Sequence, residues 1–241
     1  TAEIELLEHC LREDLNKKAN RALAVLRPIK LVIENYPEDQ VEYLEAANNP
    51  QNSDSGTRKI PFSKELYIEQ DDFMENPPKK FFRLTVGREV RLRYGYLITC
   101  VEIIKDPTTG EVIELRCTYD PETRGGNAPD GRKVKSTIHW VSANHSIDAE
   151  VRLYERLCLD PEPDISDGKS LETVLNPNSL EIIRSAKVEP SLKESTPGNP
   201  IQFERLGYFC LDSQDSDNSN DLVFNRTVSL RDSWSRIQSH N

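Results

Sequence analysis

The chain has 241 residues, of which 30% are charged and 36% hydrophobic, and a formal net charge of −10. That length suffices for one large or two ordinary domains with a buried core. The acid excess argues against a general polyanion binder, whose charge would be positive overall, yet leaves room for a focused basic site. No apolar run is long enough for a membrane-spanning helix.

In chain order, Ile4, Leu7, Leu11 and Leu15 recur at helical spacing without proline or glycine, which predicts a helix from residue 3 to about 24. A start of this kind lacks the pattern of a secretory leader, so a cytoplasmic location is expected. Pro28 marks a change of state. Beyond it, strand-like runs are expected at Lys30–Glu34, Glu65–Glu69, Leu84–Val86, Glu89–Val101, Val112–Tyr119, Ser136–Val141, Ala149–Tyr154 and Leu180–Ile183. Ile201–Arg205, Tyr208–Leu211 and Val223–Ser229 follow. Short strands with turns at Asp106–Gly110, Asp120–Gly126 and Pro129–Gly131 suggest barrels or sandwiches, so the chain reads as mainly β. Asn48–Gly56 and Asp212–Asp221 read as solvated loops. The second lacks the glycine and final glutamate of a calcium loop. Pro161–Ser170 and Ser191–Pro200 read as connectors.

Within this acidic chain, residues 79–93 form one basic, aromatic-bearing stretch, KKFFRLTVGREVRLR. Phe82, Leu84 and Val86 share one parity, as do Val90, Leu92, Tyr94 and Tyr96, while Arg83, Arg91 and Arg93 take the other. On a strand this alternation gives a greasy inner face and an arginine-lined outer one. Guanidinium groups beside aromatics suit single-stranded nucleic acid, although a plain solvated strand face has the same pattern. Asp130–Lys135 (DGRKVK) is a second basic run, read first as a solvated hairpin tip.

The five cysteines (Cys10, Cys100, Cys117, Cys158 and Cys210) are scattered, without a CxxC pair, and most are expected in the core. Phosphate-cradling, HExxH and GxSxG sequences do not occur, so no catalytic, metal or cofactor site is expected. His139, inside an alternating run, reads as structural rather than as a general base.

Several strings taken together resemble one family: LREDLNKKANRALAVLRPIKLVIENY, RKIPFSKELYIEQDDF, GREVRLRYGYLI, TYDPETRGG, DGRKVKSTIHWVSANH, VRLYERL, EPSL, QFERLGYFCLDS and FNRTVSLRDSW. In order and spacing they resemble the C-terminal half of the bacterial glutaminyl-tRNA synthetases. The resemblance implies two antiparallel β-barrels that bind the anticodon arm, preceded by the helical tail of a connecting domain at 1–24. One barrel is expected from 25–75 with 180–241 and the other from 76–179. The ATP and glutamine sites would lie in an N-terminal catalytic half whose HIGH- and KMSKS-type signatures are absent from this chain. The expected partners are glutamine tRNA and that catalytic half, with a monomeric state and no membrane.

Carried over position by position, the resemblance implies that Arg21, Gln202 and Arg205 serve the middle anticodon nucleotide and that Asn16 makes a polar contact to the anticodon loop. It implies that Arg83 reads the third base by paired donors to a guanine edge, and that Arg91 and Arg93 meet the first nucleotide or nearby phosphates. Gln51 belongs to the same set, standing where the bacterial pattern has an asparagine, and Phe82 stands where it has a lysine. Three other readings remain open: the equivalent module of a eukaryotic or archaeal-type glutamyl-tRNA synthetase, a stand-alone RNA-binding barrel, and a purely structural β protein.

Overall fold

The computed structural model describes residues 4–158, 174–216 and 221–231. The helix α1 spans Ile4–Lys18, shorter than its sequence predicts. The carbonyls at its end are met by two buried side chains: the Asn49 amide, from a distant loop, donates to those of Lys17 at 3.0 Å and Ala19 at 3.1 Å, and Arg21 to those of Asn16 at 3.2 Å and Ala19 at 3.3 Å. Leu15 is buried with Ala19, Tyr208 and Val228, and Leu11 packs against them, whereas Ile4 and Leu7 are exposed. The apolar stripe thus covers only the second half of the helix.

The next residues, expected to be helical, are two short strands, Asn20–Ala22 and Ala24–Val25. Every side chain from Arg21 to Leu26 is buried. Successive side chains of a strand point to opposite faces, and here the two faces feed two cores. Ala22, Ala24 and Leu26 enter one cluster, with Val151, Phe203, Phe209 and Phe224; Leu23 and Val25 enter another, with Phe62, Leu66, Leu92 and Trp140. A strand buried on both sides reads as a continuous apolar run, so its period is hidden.

Two seven-stranded sheets surround these cores. The first runs in the order Asn20–Ala22, Pro200–Phe203, Gly207–Leu211, Leu222–Ser229, Ile147–Tyr154, Leu180–Val188, Ala24–Val25. Its two outer strands adjoin in sequence, separated by Leu23 alone, so the chain itself draws the sheet into a nearly closed barrel. The second runs Thr137–Ile138, Glu89–Leu92, Leu97–Lys105, Val112–Asp120, Pro28–Ile33, Glu65–Glu69, Trp140–Ser142. It closes by the same device, with His139 as the single residue between its outer strands. Among the described residues most strand pairs are antiparallel; four are parallel, two in each sheet. A hairpin of Glu42–Ala47 and Thr57–Phe62 packs Leu44, Ala46, Ile60 and Phe62 into the second core.

The mainly β architecture with an N-terminal helix therefore holds, but the strands divide otherwise than expected. Residues 28–33 and 65–69 pair with each other, and 28–33 also runs beside 112–120. They join 89–142 in one barrel, not residues 180–241; the other barrel takes 20–25 with 147–229. Alternation marks a strand without marking its partner. Residues 84–86 make only isolated bridges, and Glu89–Val101 divides at a turn where Tyr94 has φ 64°. Of the cysteines, Cys100 and Cys117 are buried, Cys10 is exposed, and Cys158 and Cys210 are intermediate, so fewer lie in the core than expected. The connector expected at 161–170 and part of the 212–221 loop fall outside the described residues.

Candidate nucleic-acid interface

Arg205 projects from the tight turn between Pro200–Phe203 and Gly207–Leu211, with a left-handed φ of 69°. Its guanidinium makes two parallel bonds to the Asp72 carboxylate, of 2.6 Å and 2.7 Å. Asp72 is 1% exposed and ends a short 3-10 turn after the strand Glu65–Glu69, so the pair joins one barrel to the other. Arg83 reaches the same carboxylate with Nε at 3.3 Å and donates to the Asp71 carbonyl at 2.9 Å. Two arginines from distant parts of the chain thus share one buried acid, leaving their outer edges in solvent.

A third group fixes Arg205 from behind. His139 Nδ1 lies 2.9 Å from Arg205 Nη1, and Nε2 lies 3.4 Å from Glu69. A guanidinium only donates, so Nδ1 accepts and the ring proton sits on Nε2, facing Glu69. Glu69 also accepts from the backbone N–H groups of Leu26 at 2.6 Å and Arg27 at 3.0 Å. His139 is therefore structural: it closes its barrel and orients an arginine.

Asn16, Arg21 and Gln202 form a second group. Arg21 is opposite Gln202 in the parallel pair of Asn20–Ala22 with Pro200–Phe203. Arg21 Nη2 donates to the Asn16 side-chain oxygen at 2.7 Å, which also accepts from Tyr208 at 3.3 Å. Asn16 and Gln202 line one surface hollow with Tyr208. Gln51 is exposed, its backbone N–H bound to Asn49, the residue that holds the helix end. The structure thus places Arg21 beside Gln202, while the Arg205 guanidinium turns to Asp72 and Arg83.

Arg91 and Arg93 diverge. Arg93 bonds the buried Glu204 at 2.7 Å and packs over the Tyr94 ring, 4.6 Å from its centroid. Burial disfavours its charge, but Glu204 and Tyr94 outweigh that and hold it more firmly protonated. Tyr94 also donates to Glu204, and burial together with that bond pushes its pKa up. Arg58 packs against the same tyrosine and bonds Glu189 at 2.6 Å. Arg91 instead lies against Gly126, donating to its carbonyl. A Cβ there would come 2.5 Å from Arg91 Cδ, so only glycine, at φ +86°, admits the side chain.

The expected inner face holds only in part. Val90, Leu92 and Tyr96 are buried, but Phe82 and Val86 are exposed and Thr85 is buried. The reason is local: residues 79–88 form no continuous strand, so alternation does not apply there. Phe82 does not fill the core; Lys135 lies over its ring at 5.7 Å. In the second basic run, which is a loop ahead of Thr137–Ile138 rather than the tip of a hairpin, Arg132 is tied to Glu89, Asp120 and Asp130.

The arrangement offers partly exposed donor forks whose positions are fixed from beneath by acids, a geometry suited to reading hydrogen-bonding edges in an unpaired loop. Asp72, Glu204, Glu69 and Asn49, which do the fixing, were not recognised from sequence. The pair Asp71–Asp72 ahead of the basic stretch was the one available signal.

Family models described as tRNA synthetases class I (E and Q), anti-codon binding domain, match residues 19–120 and 137–212. The chain belongs to this family. Its relatives include the glutamine–tRNA ligase of Nitrobacter hamburgensis, 57% identical over 98% of this chain and 41% of the relative. Those of Bradyrhizobium diazoefficiens (57% identical, 97% of this chain, 41% of the relative) and Clostridium kluyveri (50%, 95% and 41%) are similar. The chain thus spans about two-fifths of the length of the curated relatives it matches. Among the described residues, no helix is long and apolar enough to cross a membrane.

Proposed function

We propose that this chain reads the anticodon loop of glutamine tRNA for ATP-dependent glutaminylation by a catalytic half that the relatives carry in their remaining length. In this reading the module works as a monomer in the cytoplasm, and ATP and glutamine bind in that other half. The observation that carries it is the meeting of Arg205 and Arg83 on Asp72, with both guanidinium groups accessible. Arg83 takes the third anticodon base; Arg21, Gln202 and Arg205 take the middle one; Asn16 and Gln51 support the loop near the helix end. Arg91 and Arg93 serve the first nucleotide or its phosphates. Acids beneath these arginines suppress indiscriminate attraction to phosphate, which favours recognition through base edges.

The test is a titration of the chain with a hairpin carrying the glutamine anticodon loop, against hairpins altered at one anticodon base. Preferential, salt-sensitive binding of the cognate hairpin is expected. Equal binding of all of them would refute the anticodon reading.

A further inference from the structure

We propose that Phe82 and Arg83 form one pocket for a single unpaired base, in which the Phe82 ring stacks on the face of the base whose edge Arg83 reads. This rests on the anticodon reading above and adds a residue that the reading does not use.

An isolated exposed apolar side chain is ordinary on a protein surface, so the 56% exposure of Phe82 carries little by itself. Its surroundings carry the argument. Phe82 lines a groove of about 840 Å³ with Asp71, Met74, Lys80, Phe81 and Arg83. Arg83 is held on that groove's wall by the Asp71 carbonyl and the Asp72 carboxylate, so its donor edge is fixed relative to the ring beside it. Lys135 lies over the ring, 5.7 Å from its centroid, and more than half of the Phe82 side chain remains open to a ligand. Lys80 on the groove wall and Lys135 beside the ring add positive charge that favours a phosphate-bearing ligand.

Arg83 also lines the smaller hollow that contains Asp72, His139 and Arg205. It therefore stands at the junction of two adjoining sites, which suits consecutive splayed bases: one at Arg205, the next over Phe82. A π face accepts every base, so Phe82 supplies affinity without selectivity, and the choice of base is left to Arg83. A single-stranded RNA loop is the occupant that fits this ring, fork and pair of cations.

Binding of the glutamine-anticodon hairpin, and of hairpins changed at the third anticodon base, is measured for the wild type, F82L and F82W. Phe82→Leu keeps the apolar bulk but removes the π face. It is expected to weaken every hairpin by about tenfold and leave the preference among third bases intact. Phe82→Trp is expected to bind at least as tightly as wild type, and the emission that this substitution adds to that of Trp140 and Trp234 should be quenched at saturation. Binding by F82L within about twofold of wild type, or unquenched F82W emission at saturation, would overturn the pocket while the wild type still discriminates anticodons. Loss of discrimination in the wild type itself would overturn the anticodon reading and this inference together.

Discussion

Arg205 and Asp72 lie 133 residues apart in sequence and meet through two parallel bonds of 2.6 Å and 2.7 Å. The contact ties the hairpin of one barrel to the turn that follows a strand of the other. Arg83 shares the carboxylate, so one buried charge sets the positions of two guanidinium groups. Specificity in such a site depends on donors that do not move when the ligand arrives.

Asp72→Asn is expected to lower stability by about 1–3 kcal/mol, measured from urea unfolding. Breaking a buried pair costs more, but Arg205 is partly exposed and solvent screens it. The same variant should bind anticodon hairpins with a steeper salt dependence and a smaller preference for the cognate one. Two arginines would have lost the charge that neutralises and orients them. A variant with unchanged salt slope and selectivity would contradict the orienting role of Asp72.

Asn49→Ala should cost about 1–3 kcal/mol, because it removes the side-chain donor to the Lys17 carbonyl and leaves the Ala19 carbonyl with only the longer bond from Arg21. The loss should be felt first in α1, as faster amide hydrogen exchange over its last turn. Since Asn16 belongs to that turn and holds Arg21, hairpin binding should weaken as well. Unchanged exchange in the last turn would show that the helix end is held by other contacts.

Alkaline pH should unfold the second barrel's tyrosine cluster. Burial and then the Glu42 carboxylate push the Tyr96 hydroxyl up to about 12, and raise Tyr36 as well. Both hydroxyls donate to Glu42, at 2.8 Å and 2.9 Å. A tyrosine in the unfolded chain ionises near pH 10, roughly its unperturbed value. The folded state therefore binds more protons above that pH. This contribution is fully present below about pH 10 and is lost as pH rises toward about 12. Urea midpoints should fall steeply over that window, and the fall should be shallower in the variant with Y36F and Y96F combined. Equal slopes for the two proteins would contradict the assignment.

The readability of this fold from sequence followed the burial of its strands. Glu65–Glu69 is buried on one face at its start, and its limits match the sequence pattern. Asn20–Val25 is buried on both faces between two cores, so its apolar run reads as a continuation of the helix. Glu42–Ala47 carries glutamate and alanine, weak strand formers, and its partner strand contains Pro61; neither run has a strong local signal. At the site, Arg205 stood out through the family's strings, and Arg83 and Arg93 through their place in the basic stretch. The acids that hold them did not. Asp72 and Glu204 are two among 41 acidic residues, and apart from the Asp71–Asp72 pair it is the packing of one barrel on the other that sets them apart.

The central claim, that these arginines read bases rather than phosphates, is tested most directly by a binding cycle. Wild type and Arg83→Gln are each titrated with the cognate anticodon hairpin and with one whose third anticodon guanine is replaced. The wild type should prefer guanine by about 1–3 kcal/mol, as expected for a bidentate contact, and R83Q should bind both hairpins alike. If R83Q instead weakens both hairpins equally and keeps the wild-type preference, Arg83 touches only the backbone and the account fails at its centre.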